Sequence, residues 1–230
     1  MLRQWLNLFL IIREYSTRRV LACSRNPDWV SCMSYFPNWV FMSSKGLPAI
    51  EQRVREWLDH FVVGLNLCPF ARPVVASDGL RIKVCESVET EQIMHMFLSE
   101  LDFIQSSSES DIATTLLVIP NALMEFDVYL AFIDLAEELL KESGLEGVIQ
   151  LASFHPRYQF DGEPENSASH FSNRSPYPLV HFLREDMLAR ALGSFPNPET
   201  IPTKNINMLE SIGREEIERR WAHLIGANPE

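Results

Sequence analysis

The chain has 230 residues, 46% of them hydrophobic, which is enough apolar material for one core of ordinary size. Its formal net charge of -11 argues against a general nucleic-acid binder, because such proteins neutralise phosphates with clustered Lys and Arg. A small anionic ligand remains compatible with this charge, since a local group of arginines can oppose the global sign.

Residues 1–45 differ from the rest of the chain. They are basic, hold three of the five tryptophans and show no sustained helix or strand period. We therefore expect a poorly structured extension over residues 1–45 and a single globular domain over residues 46–228. Our hypothesis is that translation starts at Met42, and mass spectrometry of the native N-terminus would test it.

From Pro48 onward the apolar residues follow regular periods. Helical spacing predicts a first helix over residues 48–65, ending near Cys68 and Pro69. Alternation over residues 80–87 predicts a half-exposed strand, whereas the continuous apolar run 114–119 predicts a strand covered on both faces. Further along, the patterns predict helices over 90–105 and 126–142, a third strand over 148–154, and helices over 178–192 and 215–225.

The order of these elements predicts an α/β fold. Strand, helix, strand, helix, strand favours a small, mainly parallel three-stranded sheet with right-handed crossovers, β-α-β-α-β. With strand order 1-2-3, both crossover helices lie on one face. The preceding N-terminal helix and the C-terminal helices are then expected to cover the other face.

The stretch after the third predicted strand holds the most site-like side chains. His155 follows the strand, at the end where open α/β sheets place ligands. About twenty residues without a regular pattern come next, which is typical of a binding loop. Pro178 is then expected to open a helix whose N-terminus favours an anion. The predicted ligand-binding residues are Asn173, Arg174, Ser175, Arg184 and Glu185.

Acid–base or covalent catalysis is a second interpretation of the same region. His155 and His181 are the natural proton carriers, because imidazole titrates near neutrality. Cys68 is the candidate nucleophile, since it lies beside a turn. The carboxyl end of a helix opposes thiolate formation there unless a cation lies close.

A metal site and a partner-binding surface are further alternatives. The side chains considered for a metal are His155, Asp161, His170 and His181. No two of them have the spacing that brings ligands together on one element, so no metal site is predicted. The aromatic residues that suggest a non-catalytic partner-binding or regulatory module are Phe154, Tyr158, Phe160, Phe171 and Tyr177.

Cysteine spacing and the lack of long apolar runs indicate in which cellular compartment the protein is expected. The four cysteines show no C-x-x-C pair, so neither a disulfide framework nor a zinc ribbon is expected. No apolar run is long enough to cross a bilayer. We therefore expect a soluble cytoplasmic protein without a membrane partner.

Four ordered motifs carry a resemblance to a known family. They are Leu67 to Ala71; Ser153 to Pro156 with Tyr158 and Phe160; Ser172 to Pro178 with His181 and Leu183 to Glu185; and Ile201, Pro202, Asn205 and Ile206. Together they resemble the bacterial domain-of-unknown-function family 1415, from about Pro48 to Gly226. The resemblance implies a shared fold and a shared pocket, without an established activity.

Overall fold

The computed structural model describes residues 47–226 of the protein. The predicted extension over residues 1–45 and the hypothetical start at Met42 lie outside this range. The first helix, α1 (Leu47–Trp57), continues as a π-helical segment, Leu58–Val63. The later elements are α2 (Ala71–Val75), β1 (Leu80–Val84), α3 (Thr90–Ser106), β2 (Thr114–Val118), α4 (Phe126–Glu142), β3 (Ile149–Phe154), β4 (Leu179–Arg184), α5 (Glu185–Ser194), α6 (Ile201–Ile212) and α7 (Arg214–Ile225).

The four strands form one mixed sheet in the order β1-β2-β4-β3. β1 and β2 pair in parallel, whereas β4 runs antiparallel to both of its neighbours, β2 and β3. The α/β class is therefore confirmed. The prediction of a three-stranded, mainly parallel sheet is wrong.

The error lies in residues 178–192, which were predicted to form one helix. Leu179–Arg184 is strand β4, and α5 begins only at Glu185. The sequence Leu-Val-His-Phe-Leu is apolar at both helical and strand spacings, so periodicity alone does not separate the two structures. Burial decides between them, because Leu179 packs into one core while Val180 and Phe182 pack into the other.

Each face of the sheet has its own core. The crossover helices α3 and α4 cover one face, where the Phe97 ring packs against those of Phe132 and Phe182. Residues of α1, α6 and α7 cover the opposite face, where Trp57 meets Phe154 edge to face at 5.4 Å. Both crossover helices therefore lie on one face, as the sequence predicted. The pattern did not predict α6.

The antiparallel insertion brings three chain segments to one edge of the sheet. Leu179, the first residue of β4, pairs with both Val118 and Phe154, which end β2 and β3. The Tyr129 hydroxyl of α4 joins the same two strands: it donates to Leu179 O at 2.7 Å and accepts from Phe154 N at 3.0 Å. The loops after β2 and β3 and before β4 consequently meet here.

Candidate functional site

A cavity of about 750 Å³ opens at this edge of the sheet. Its lining comes from the start of α4, the loop between β3 and β4, and the start of α7. The lining residues are Glu125, Phe126, Asp127, Arg157, Gln159, Glu165, Asn166, Arg174 and Arg214. We refer to it as the arginine cavity. Its volume is in the range of small-molecule clefts, and nearly all of its lining is polar or charged.

Backbone contacts hold the two ends of the β3–β4 loop together beside the arginine cavity. The amide of His155 donates to Asn173 O at 3.2 Å, and Asn173 Nδ2 donates to Ser153 O at 3.3 Å. Ser175 is fully buried and its hydroxyl donates to Tyr177 O at 2.6 Å. Asn173 and Ser175 therefore shape the loop, and neither lines the cavity.

Arg174 is the predicted ligand-binding residue that the structure places in the cavity. Its half-buried guanidinium lies 4.4 Å from the centre of the Phe171 ring, and its Nε donates to Tyr158 O at 3.4 Å. Burial lowers the pKa of Arg174, and the positive charge of Arg214 lowers it further. Arg174 forms no ion pair with any residue in the range 47–226.

Arg214 and Arg157 bring two more cations to the cavity. Arg214 Nε pairs with Glu218 at 2.7 Å, but its Nη1 is buried and has no hydrogen-bond partner in the described part of the chain. Arg157 Nη2 lies 2.8 Å from a Glu125 carboxylate oxygen and also contacts the carbonyl of Met124. Of the three arginines, Arg174 and Arg214 retain N–H donors that no residue between 47 and 226 accepts.

His155 lies next to the cavity, but both of its ring nitrogens form hydrogen bonds with the backbone. Arg157 N donates to His155 Nδ1 at 3.0 Å, so the proton is on Nε2, which donates to Leu123 O at 3.0 Å. Leu123 has a left-handed φ of 59°, an uncommon conformation that this contact helps to hold. Burial lowers the pKa of His155. The side chain thus supports a strained turn and keeps no free nitrogen for a substrate.

His181, the second predicted proton carrier, lies in the middle of β4. The Thr114 hydroxyl donates to Phe182 O at 2.6 Å, so His181 Nε2 is the donor in its 2.6 Å contact with Thr114 Oγ1. Burial lowers the pKa of His181 to about 4. His181 does not line the arginine cavity, and its neutral form is the one that the sheet stabilises.

Cys68 follows the π-helical segment and does not line the cavity either. Burial raises the pKa of its thiol, and this outweighs the lowering by hydrogen bonds from the backbone of Phe70 and Ala71. Asn205 Nδ2 donates to Leu67 O at 2.7 Å, so α6 braces this turn rather than the cavity. The surroundings of Cys68 therefore favour the unreactive thiol over the thiolate.

We expect Cys68 in the native protein to react with iodoacetamide at least about tenfold more slowly than in urea, because only the thiolate attacks. Peptide mapping by mass spectrometry would follow this cysteine separately. Cys85, which is buried and also has a raised pKa, is the matched control. Labelling of native Cys68 as fast as in urea would contradict the expectation and support the nucleophile role.

Arg184 and Glu185 lie at the opposite end of β4 from the cavity. Arg184 donates to three backbone carbonyls, those of Ile104, Ser107 and Ile112, at 2.7, 2.8 and 3.0 Å. Glu185 begins α5, and its amide donates to Val148 O at 3.0 Å. The helix N-terminus that was predicted at Pro178 is absent because β4 occupies that position. The structure therefore does not bring these two residues to Arg174.

The histidines considered for a metal do not converge. His170 accepts from Phe160 N at 3.1 Å, and its Nε2 donates to Pro164 O at 2.9 Å, so both ring nitrogens are used within the loop. Between residues 47 and 226, no group of three or more His, Cys, Asp or Glu side chains is placed to hold a metal ion.

The aromatic residues of the β3–β4 loop pack mainly against the domain. Tyr158 and Phe171 are 3% and 1% exposed. The Tyr158 ring lies 5.2 Å from Phe126, and the Phe171 ring lies 5.7 Å from Trp221. This packing fixes the loop to the two cores. Phe154, Phe160 and Tyr177 are only partly buried, and partner binding through them stays a prediction.

Sequence reasoning missed most of the arginine cavity. Arg157 and Gln159 lie two and four residues beyond His155, close to the predicted site, and could have been chosen as polar residues after a strand end. Arg214 follows Gly213 at the start of the last helix, and no local pattern connects it with Arg174. Its place in the cavity follows from the packing of α7 against the loop.

Comparison with known proteins places the chain in a family. Within residues 47–226, no helix is both long and apolar enough to cross a membrane. No curated protein and no solved structure gives a significant match. A family model described as "Protein of unknown function (DUF1415)" matches residues 49–219, which include all four motifs noted in the sequence. The chain therefore belongs to the DUF1415 family.

Proposed function

We propose that this protein binds a small anionic metabolite in the arginine cavity. The observation that carries the proposal is the pair Arg174 and Arg214. Arg174 is partly buried and forms no ion pair with a described residue. Its pKa is lowered by burial and by the charge of Arg214, and Glu218 offsets this in part. Arg214 adds a buried Nη1 without a partner among the described residues.

Without a bound anion, this arrangement of charges raises the free energy of the folded protein. Burying a cation loses hydration, and a like charge beside it adds repulsion. A carboxylate or phosphate would relieve both terms, because guanidinium groups donate paired hydrogen bonds to planar or tetrahedral oxyanions. The overall charge of -11 does not exclude this, since arginines at one place can oppose the global sign of the protein.

The surroundings of the cavity support binding more than catalysis. His155, His181 and Cys68 all lie outside the lining, and each is in its neutral form. A proton carrier must reach the reacting group within hydrogen-bond distance. We therefore propose binding as the activity of this site and assign no reaction to it. We also propose that the protein acts in the cytoplasm and that its ligand is not a nucleic acid.

Replacing Arg174 tests the proposal. Phosphate, sulfate, succinate and nucleotides would be titrated by calorimetry into the wild-type protein and into Arg174→Met. We expect at least one of these anions to bind the wild type and its affinity to fall at least about tenfold in the variant, because a paired guanidinium contact is lost. The unliganded variant should unfold at a temperature no lower than that of the wild type, since a buried cation has been removed.

Arg190→Met is the matched control for this experiment. Arg190 is an exposed arginine whose ion pair with Glu109 lies outside the cavity. Its removal should leave anion affinity unchanged. Equal affinity of the wild type and Arg174→Met, or equal losses in both variants, would contradict a site at Arg174.

A further inference from the structure

The charges that line the arginine cavity are balanced rather than positive. Three arginines face it, Arg157, Arg174 and Arg214. Three carboxylates face it as well, Glu125, Asp127 and Glu165. A doubly charged anion would be attracted by the arginines and repelled by the carboxylates.

The carboxylates differ in whether the protein already neutralises them. Glu125 forms an ion pair with Arg157 at 2.8 Å. Arg214 forms an ion pair with Glu218, a carboxylate that does not line the cavity. Asp127 and Glu165 form no ion pair with any residue that the structure describes. One cavity therefore holds an unpaired cation, Arg174, and two unpaired carboxylates.

Asp127 reaches the cavity from the start of a helix. It lies in the first turn of α4, a helix of 17 residues, where the positive end of the helix dipole favours a carboxylate. Glu165 lies in the loop between β3 and β4, on the same loop as Arg174. Gln159 and Asn166 complete the polar lining with amide groups that can donate to an anion or accept from a cation.

We infer that the ligand of the arginine cavity is a zwitterion, a small molecule that carries a carboxylate and a primary ammonium. The carboxylate binds Arg174, on the side of the cavity that Arg214 also lines, and the ammonium binds Asp127 and Glu165. This inference rests on the proposed function, since it names the class of anion that the site accepts. It also explains why a binding site for an anion carries unpaired carboxylates.

Three probes with the same five-carbon chain separate the possibilities: aminovalerate with a terminal amine, glutarate and cadaverine. They are respectively a zwitterion, a dianion and a dication. Homologues with shorter and longer chains would be titrated alongside them to cover the distance between the charged walls. We expect the best zwitterion to bind the wild-type protein at least about tenfold more tightly than the dicarboxylate and the diamine of its own length.

Variants on the two sides of the cavity should act differently. Arg174→Met should weaken both the zwitterion and glutarate. Asp127→Asn combined with Glu165→Gln should weaken the zwitterion and strengthen glutarate, because the repulsive carboxylates are gone. Both acidic side chains are exposed, and the single variants would be measured as well, so that the result does not depend on the double variant. Glu163→Gln, in the same loop but outside the lining, should change neither affinity.

The outcomes distinguish this inference from the proposed function. If glutarate binds the wild type as tightly as the zwitterion, and Arg174→Met removes it, the site is an anion site and the zwitterion inference is overturned. The same holds if the acidic variants leave the ratio of the two affinities unchanged. If no probe and no simple anion binds, both are overturned.

Discussion

Replacing Arg184 by methionine is expected to lower the free energy of unfolding by about 3 kcal/mol. The guanidinium donates to the carbonyls of Ile104 and Ser107, where α3 ends, and to that of Ile112, just before β2. A charged donor at the carboxyl end of a helix also interacts favourably with the helix dipole. Methionine keeps the apolar stem and removes all three contacts. Urea unfolding, followed by circular dichroism, would measure the difference.

Two further substitutions serve as controls for Arg184→Met. Arg184→Lys should lose less stability than Arg184→Met, because an ammonium can still reach one or two of the carbonyls. Arg190→Met, which removes an exposed arginine on the next helix, should change stability little. If Arg184→Met and Arg190→Met were equally stable, the three backbone contacts would not contribute to the fold as described.

Acidification should destabilise the protein through His181. In the folded state the pKa of His181 is lowered to about 4, whereas the unfolded chain has the ordinary value of 6.5. The unfolded chain therefore takes up a proton as the pH falls through 6.5, and the folded protein does not until about pH 4. Since each pKa unit corresponds to about 1.4 kcal/mol, we expect His181 to remove about 3 kcal/mol of stability across this window.

Measuring the free energy of unfolding in urea at several pH values between 7 and 4 would check this expectation. His155 and His170 have lowered pKa values as well, so they act in the same direction and the wild-type curve contains all three. His181→Gln isolates one of them: its stability should be lower at pH 7 and should fall less steeply with acid. A slope in His181→Gln equal to that of the wild type would contradict the assignment.

The position of Arg174 in the cavity lining could be predicted because the relevant information is local. A polar residue in a long loop that follows a buried strand is a reasonable ligand contact, whatever the rest of the fold does. Arg184 shows the limit of this reasoning. It is only ten residues away and has the same side chain, but the direction of β4 carries it to the other end of the sheet, where it binds backbone carbonyls.

His155 shows a second limit, which concerns the hydrogen-bond partners of a candidate residue. His155 follows a strand end as a catalytic residue would, and its position next to the cavity was predicted. Its ring, however, lies 5.2 Å from Phe126 and 5.0 Å from Tyr129, with both nitrogens engaged by backbone groups. Residue type and spacing cannot reveal whether both nitrogens of a histidine already have partners, because the partner of Nε2 is Leu123 O, 32 residues away in the chain.

By itself the sequence determined the α/β class, the helices α3 and α4, the buried strand β2 and the loop that lines much of the cavity. These features depend on periodicity, which is a property of neighbouring residues. The tertiary structure alone decided that residues 179–184 form a strand between β2 and β3, because both faces of that strand are buried by elements distant in sequence. The same packing of α7 and α4 around the loop placed Arg214 and Asp127 beside Arg174, and so decided the charge of the cavity.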